Sequence, residues 1–206
     1  AASTGTITFT TADRALSGSS ADLAIAFDGS TNHNATLTVT NSNYTAAQLQ
    51  TINNGTAGSI TLNTAGTAIS GTAAVLAEAL AGTINHSGTV TISDAPDVTE
   101  LKAINDGAGG SIVLQTTNGA LSGSSGDLAA AFAGTVTTHT GTVAITNNDY
   151  SVTDLKTINA ASTGTITFST TNRALSGTSG DLAIAFAGST NHNATLTIQN
   201  NDYTVT

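Results

Sequence analysis

The sequence predicts an α/β fold, a right-handed βα solenoid built from tandem repeats of 53 residues. A β-like segment with the pattern Gly-Ser/Thr-Ile occurs four times, with its glycines at Gly5, Gly58, Gly110 and Gly164. The histidines of the chain are separated by 53 residues at each step: His33, His86, His139 and His192. Self-similarity at a fixed period of this length is the signature of repeat architectures.

The composition also favours a repeat array over an ordinary globular domain. Charged residues make up 8% of the chain, against roughly 25% in typical soluble domains. The chain has 13 acidic and 4 basic residues, for a net charge of −9, which argues against nucleic-acid partners and anionic membranes. No apolar run approaches the roughly 18 residues that a membrane span needs, so we expect no membrane insertion.

Each repeat contains two similar halves, and each half begins with a short strand. The strand centres fall at Ile7, Leu37, Ile60, Val90, Ile112, Val143, Ile166 and Leu196. Leu37 and Val39 alternate with threonines, so one face of the strand is apolar and the other is polar. Strands that are joined through helices run parallel.

We expect the strands to form one parallel sheet with a Thr-rich exposed face and short helices on the other side. A sheet covered on both faces would be apolar on both, and right-handed crossovers place every helix on the same side. The ligand-face candidates are Thr6, Thr8, Thr36, Thr38, Thr61, Thr89, Thr91, Thr165, Thr167, Thr195 and Thr197. Val113 and Ala144 interrupt this series.

The helices carry recognisable start signals. N-caps of the first kind of helix are Ser19, Thr72, Ser124 and Thr178, and those of the second kind are Thr45, Asp97 and Ser151. Gln48, Glu100 and Asp154 follow the second set at the third position, as in a capping box. Helices of two or three turns are too short to be stable alone, so each depends on its neighbours, as in a solenoid.

The spacing of the elements indicates the shape of the array. Strands stack about 4.8 Å apart, whereas packed helices need about 8–10 Å. Two staggered helix rows, one for each kind of helix, would reconcile these distances, and a fairly straight rod results. A single helix row would instead give a horseshoe.

We expect residues 1–206 to form a single array, with repeats of approximately 1–53, 54–106, 107–159 and 160–206, the last incomplete. The chain begins and stops partway through its repeat, and no signal peptide opens it. Terminal repeats normally carry a polar cap. We therefore expect either adjoining repeats or copies of the chain that meet end to end or side by side.

The repeat style resembles that of the long repeat regions of large secreted surface or adhesin-like proteins in cyanobacteria and other aquatic bacteria. The residues that carry the resemblance are 153–159 (TDLKTIN), 164–167 (GTIT) and 174–177 (ALSG). The resemblance implies an extracellular or cell-surface protein with an adhesive, matrix or filament role. The glycine-rich calcium nonapeptide that accompanies such proteins is absent from this sequence, so a calcium role does not carry over.

The residues that could bind a ligand or a metal ion form three sets. None of these sets has the arrangement of a catalytic site, so we do not expect an enzyme. The Thr series resembles the ice-binding face of some antifreeze solenoids, although Thr also suits an exposed strand or a face that packs against another rod. The histidines would lie about 10 Å apart, too far to share a zinc ion. We interpret them as loop residues copied by duplication.

The third set is an Asn/Asp corner after the second strand of each repeat. Its weak metal candidates are Asp94, Asp149 and Asp202, because calcium prefers oxygen ligands. Asx turns explain the same residues without a metal, so we expect no cofactor. The sequence therefore predicts an extracellular structural repeat protein of a filament, matrix fibre or adhesin stalk. A solenoid that binds ice or glycan through its Thr face is the alternative.

Overall fold

A computed structural model describes residues 6–29, 31–188 and 190–200 of the chain. This part contains eleven three-residue strands: β1 (Leu16–Gly18), β2 (Leu37–Val39), β3 (Ile60–Leu62), β4 (Ile69–Gly71), β5 (Val90–Ile92), β6 (Ile112–Leu114), β7 (Leu121–Gly123), β8 (Val143–Ile145), β9 (Ile166–Phe168), β10 (Leu175–Gly177) and β11 (Leu196–Ile198). It also contains seven helices: α1 (Ser20–Ala26), α2 (Ala46–Asn54), α3 (Ala73–Ala79), α4 (Val98–Gly107), α5 (Ser125–Ala131), α6 (Val152–Ala161) and α7 (Ser179–Ala185). The expected mixed α/β chain with alternating short strands and helices is confirmed.

The strands are all parallel, but they lie in four small sheets and not in the single sheet that we expected. The sheets are β1-β2-β3, β4-β5-β6, β7-β8-β9 and β10-β11. Isolated bridges extend three of them, as between Ile60 and Ile84. We use the word coil for one turn of the chain, from a strand to the neighbouring strand of the same sheet, including the segment that joins them. Leu16 pairs with Leu37, and Leu37 with Ile60, so a coil spans little more than twenty residues.

The sheet is divided because each repeat contains a strand that the sequence pattern did not indicate. β1, β4, β7 and β10 have the sequence Leu/Ile-Ser-Gly and directly precede a helix. Glycine is depleted in strands, and a three-residue segment shows little alternation, so the sequence pattern gives no strand signal at these residues. Each of these strands begins a new sheet, which accounts for the extra length of the longer half-repeat.

The described helices start at the N-caps that the sequence predicts, and all but one of these caps form a side-chain hydrogen bond. The side chains of Ser19, Ser124 and Thr178 each accept a hydrogen bond from the backbone N–H three residues later. Thr45, Asp97 and Ser151 form complete capping boxes. Thr72 makes no side-chain cap bond. These caps satisfy backbone donors that a short helix would otherwise leave open.

The core is one continuous cluster that runs through the described coils. In the second and third strands of the first three sheets, the first and third residues are buried and the middle residue is more exposed. Each helix contacts the next helix along the chain, from α1 to α7. Burial of the apolar face between strands and helices therefore depends on contacts between consecutive coils.

The periodic glycines mark places where the backbones of two coils touch. A Cβ on Gly58 would lie 1.7 Å from the carbonyl oxygen of Ala35. The same atom on Gly110 would lie 2.1 Å from the oxygen of Gly88, and on Gly164 1.8 Å from that of Gly141. Only a residue without a side chain permits this approach.

We expect Gly164→Ala to lower the free energy of unfolding by about 2 kcal/mol, because the coils must separate to admit the methyl group. Gly126 is the matched control, since a Cβ there would meet nothing within 4 Å. Gly126→Ala should raise stability by up to about 0.5 kcal/mol through helix propensity. Urea denaturation of both variants measures the effects, and equal midpoints would contradict the proposed backbone contact.

Candidate functional site

The hydroxyl face consists of the middle residues of the strands, which lie side by side on each sheet. In the first sheet Ser17 pairs with Thr38, and Thr38 with Thr61. The remaining sets are Ser70, Thr91 and Val113, then Ser122, Ala144 and Thr167, then Ser176 and Thr197. The structure thus brings Thr38 beside Thr61 and adds a serine from each strand that the sequence pattern missed.

The other threonine candidates flank the strands. Thr36, Thr89, Thr165 and Thr195 each directly precede a strand, and Thr6 and Thr8 lie on either side of Ile7. Thr36 Oγ1 lies 3.1 Å from Ser59 Oγ, so these two hydroxyls hydrogen-bond to each other. Val113 is 37% exposed within the face. The face is therefore a series of short hydroxyl patches, each confined to one sheet.

On the helix side, an open groove recurs between the end of a first-kind helix and the adjacent second-kind helix. One of these grooves has a volume of about 540 Å³, and Phe132, Val136, Lys156 and Ile184 line it. Equivalent grooves begin at Phe27 and at Leu80 in the preceding repeats. Lys156 forms an ion pair with Asp181 across α6 and α7, so its charge is already partnered.

The histidines lie outside the named helices and strands, as the sequence indicated, but three of the four are buried. His33, His86 and His139 are 1–2% exposed. Their Nε2 atoms lie 2.9, 3.0 and 2.7 Å from the carbonyl oxygens of residues 14, 67 and 119. A carbonyl only accepts, so Nε2 carries the hydrogen and donates it, and Nδ1 of the neutral ring is an acceptor.

Aromatic rings surround these imidazoles. The ring of Phe27 lies 5.3 Å from that of His33, and the ring of Phe132 lies 5.7 Å from that of His139. Tyr44 packs at 6.4 Å against His86. No group of three or more potential metal-ligating His, Cys, Asp or Glu side chains occurs in the described residues. Each histidine therefore links two coils through a hydrogen bond in an apolar setting.

The partner of Nδ1 differs from repeat to repeat. Thr56 Oγ1 lies 2.9 Å from Nδ1 of His33, and Ser162 Oγ lies 3.5 Å from Nδ1 of His139. Gly109 occupies the equivalent position beside His86, and Nδ1 of His86 is buried without a hydrogen-bond partner. Burial lowers the pKa of His86 and that of His139, and the backbone carbonyl at Nε2 only partly opposes this effect.

We expect Gly109→Ser to stabilise the protein by about 1 kcal/mol relative to Gly109→Ala, because its hydroxyl can donate to Nδ1 of His86. A Cβ at residue 109 would lie 3.0 Å from the carbonyl oxygen of His86, and the alanine variant controls for this contact. Urea denaturation near pH 7.5 measures the difference. A serine variant no more stable than the alanine variant would show that Nδ1 gains nothing from a hydroxyl.

A second set of polar side chains, mostly asparagines, recurs at the edges of the sheets. In the second sheet Thr137 takes this place, and its Oγ1 accepts from the N–H of Leu114 at 3.2 Å. Asn85 accepts from the N–H of Leu62 at 2.7 Å and donates to its carbonyl oxygen at 3.2 Å. Asn32 forms the same pair of bonds with Phe9, and Asn191 with Phe168. The amide thus substitutes for the backbone of a further strand and satisfies both polar groups of the edge residue.

The Asn/Asp corner that the sequence offered as a calcium candidate serves the helix starts. Asn41, Asp94, Asn147 and Asn200 each accept from the first backbone N–H of a helix that begins 21 or 22 residues earlier. Asp94 does so at 2.8 Å from the nitrogen of Ala73. Asp149 accepts from the side-chain amide of Asn147, and Asp202 lies outside the described residues.

A third set of side chains, all asparagines, forms hydrogen bonds between consecutive helices at their C-terminal ends. Asn53, Asn105 and Asn159 each donate at 2.6 Å to a carbonyl oxygen 25 residues later, in α3, α5 and α7 respectively. The last carbonyls of a helix have no partner within it, so these amides provide one. Sequence reasoning missed this role, although an Asn recurs near the end of every second-kind helix.

We expect Asn105→Asp to lower stability by about 1–2 kcal/mol, because a carboxylate cannot donate to the carbonyl oxygen of Ala130 and instead repels it. Asp106→Asn is the neighbouring control, since Asp106 forms an exposed i,i+4 pair with Lys102. Its loss should cost no more than about 0.5 kcal/mol. Thermal denaturation at neutral pH separates the two, and similar losses would rule out the inter-helix bond.

No protein-family model matches the chain, and searches of curated proteins and of solved structures found no match. Among the described residues, no helix has the length and apolar character required to cross a membrane.

Proposed function

We propose that the chain is a segment of an extracellular structural array, a right-handed βα solenoid that forms a filament, a matrix fibre or the stalk of an adhesin. Its activity is mechanical, because stacked coils transmit load through hydrogen bonds between neighbouring strands. The hydroxyl face is displayed along the array. The resemblance of the repeats to those of secreted bacterial surface proteins supports the location outside the cell.

The observation that carries this proposal is the recurrence of the same inter-coil bonds at the same separation along the chain. The asparagine edge bond spans 23 residues in each of its three occurrences. The bond between helix ends spans 25 residues in each of its three. Such bonds use groups of two consecutive coils only, so further coils can be added without a change in geometry.

The last described strand supports the idea that coils continue to stack. Leu196 and Ile198 of β11 are 40% and 47% exposed, whereas the equivalent Leu37 and Val39 of β2 are fully buried under β3. We propose that a coil of the same kind from a second copy of the chain covers β11. Exposed apolar residues on an open strand edge favour such pairing.

End-to-end pairing predicts a specific effect of charge on β11. Leu196→Asp should abolish concentration-dependent association, because a carboxylate cannot be buried against a second coil. Thr197→Asp is the matched control, since residue 197 occupies the middle position of β11 and leaves the apolar side unchanged. Sedimentation velocity over a range of protein concentrations measures association. Discrete monomers of the original chain, together with electron micrographs of the native material that show no fibres, would contradict the filament proposal.

A binding role for the hydroxyl face is the second candidate, and the pairing of Thr38 with Thr61 beside Ser17 favours it. This patch offers closely spaced hydroxyls on a parallel strand lattice, to which ice or a glycan could bind. Thr38→Asp should abolish inhibition of ice recrystallisation or binding to a glycan array if the face is a ligand site. Absence of both activities in the original chain would leave the structural role alone.

A further inference from the structure

The histidines of the first three repeats differ in the hydrogen-bond partner of one ring atom, Nδ1. In the first and third repeats a hydroxyl lies beside it, from Thr56 or Ser162. In the second repeat Nδ1 of His86 is buried and unpartnered, since Gly109 has no side chain. The three imidazoles are otherwise bound alike, each through Nε2 to a backbone carbonyl of another coil.

Protonation would affect these sites unequally. A protonated ring donates from both nitrogens, and the hydroxyl of Thr56 or Ser162 can rotate to accept from Nδ1. At His86 the new N–H would point at no acceptor, and a buried charged donor without a partner is costly. Protonation of the histidine therefore destabilises the second repeat more than it destabilises the first or the third.

The groups that face His86 do not offset this cost. Tyr44 presents its ring, and burial raises the pKa of that phenol, so it stays neutral. Thr67 presents its backbone carbonyl to Nε2. The influences on the pKa of His86 are burial, which lowers it, and this carbonyl, which raises it, and no charged side chain of the described residues contributes.

We propose that His86 makes the second repeat an acid-labile joint, at which the array opens first when the pH falls below that of neutral solution. The inference does not depend on the extracellular structural role, because it concerns the order in which coils open.

The direction of the effect follows from the lowered pKa. Above the ordinary histidine value of 6.5 the folded and open states are both neutral, so the contribution of His86 to stability is complete. As the pH falls through that value, the open state takes up a proton that the folded state excludes, and stability is lost. Each unit of difference in pKa multiplies the opening equilibrium tenfold once the pH is below both values.

Two carboxyl groups with a lowered pKa titrate outside this window. Hydrogen bonds from Asn54 and Gln50 lower the pKa of Glu78 below its ordinary value of 4.5. A bond from Lys156 lowers the pKa of Asp181 below 3.8. Loss of stability between about pH 7 and about pH 5 therefore reports histidine protonation and not that of these carboxylates.

Hydrogen exchange with mass spectrometry tests the proposal on the full chain, with protection factors compared at about pH 7.5 and about pH 5. Peptides over residues 83–92 and 109–114 should lose more protection than peptides over 31–39, which surround His33. Gly109→Ser should reduce this difference, because its hydroxyl can accept from protonated Nδ1. Gly109→Ala supplies the same Cβ without the hydroxyl and should retain the difference.

His86→Gln is a second variant, in which the amide can still donate to the carbonyl of Thr67 but cannot be protonated. It should remove the excess loss of protection around residue 86 and leave that around His33 unchanged. An equal loss around His33 and His86 in the original chain would overturn the proposal. So would an NMR titration in which His86 of the folded protein takes up its proton at or above the ordinary histidine pKa.

Discussion

The contact between the backbone of one coil and that of the next is the constraint on which the rest of the structure depends. Gly58, Gly110 and Gly164 each lie so close to a carbonyl of the preceding coil that a methyl group does not fit. This approach allows parallel strands to pair in register across consecutive coils. Once the strands are paired, the apolar residues on either side of most middle positions are enclosed between strands and helices, and the core is continuous from the first described coils to Phe186.

Close stacking buries polar groups, and the chain satisfies them with side chains from adjacent coils. Histidine donates to a loop carbonyl, asparagine closes a sheet edge, and other Asn or Asp residues bind the ends of helices. An unpaired buried group costs about 1–3 kcal/mol, so these side chains are necessary for the stacked form. They also explain why so few charged residues suffice, since the inter-coil bonds are almost all between neutral groups.

The repeats differ at single positions in their exposed face and in their buried polar contacts. Val113 and Ala144 divide the hydroxyl face, whereas Thr38 and Thr61 form a continuous patch in the first sheet. Gly109 removes a hydroxyl that the first and third repeats supply to histidine. A duplicated unit provides a uniform scaffold, and single substitutions within it create local surfaces and local weak points.

The sequence by itself determined the period, because segments 53 residues apart are similar enough to align. It also determined the helix starts at residues such as Thr45 and Asp97 and the inward and outward sides of the strands, because these depend on neighbours within a few residues. The tertiary structure alone decided that Leu16–Gly18 and its equivalents are strands, that the sheet is divided and that His86 is buried. It also decided that Asp94 binds a helix start. These properties arise from partners 19 to 25 residues away, and a local pattern cannot specify which coil a side chain will meet.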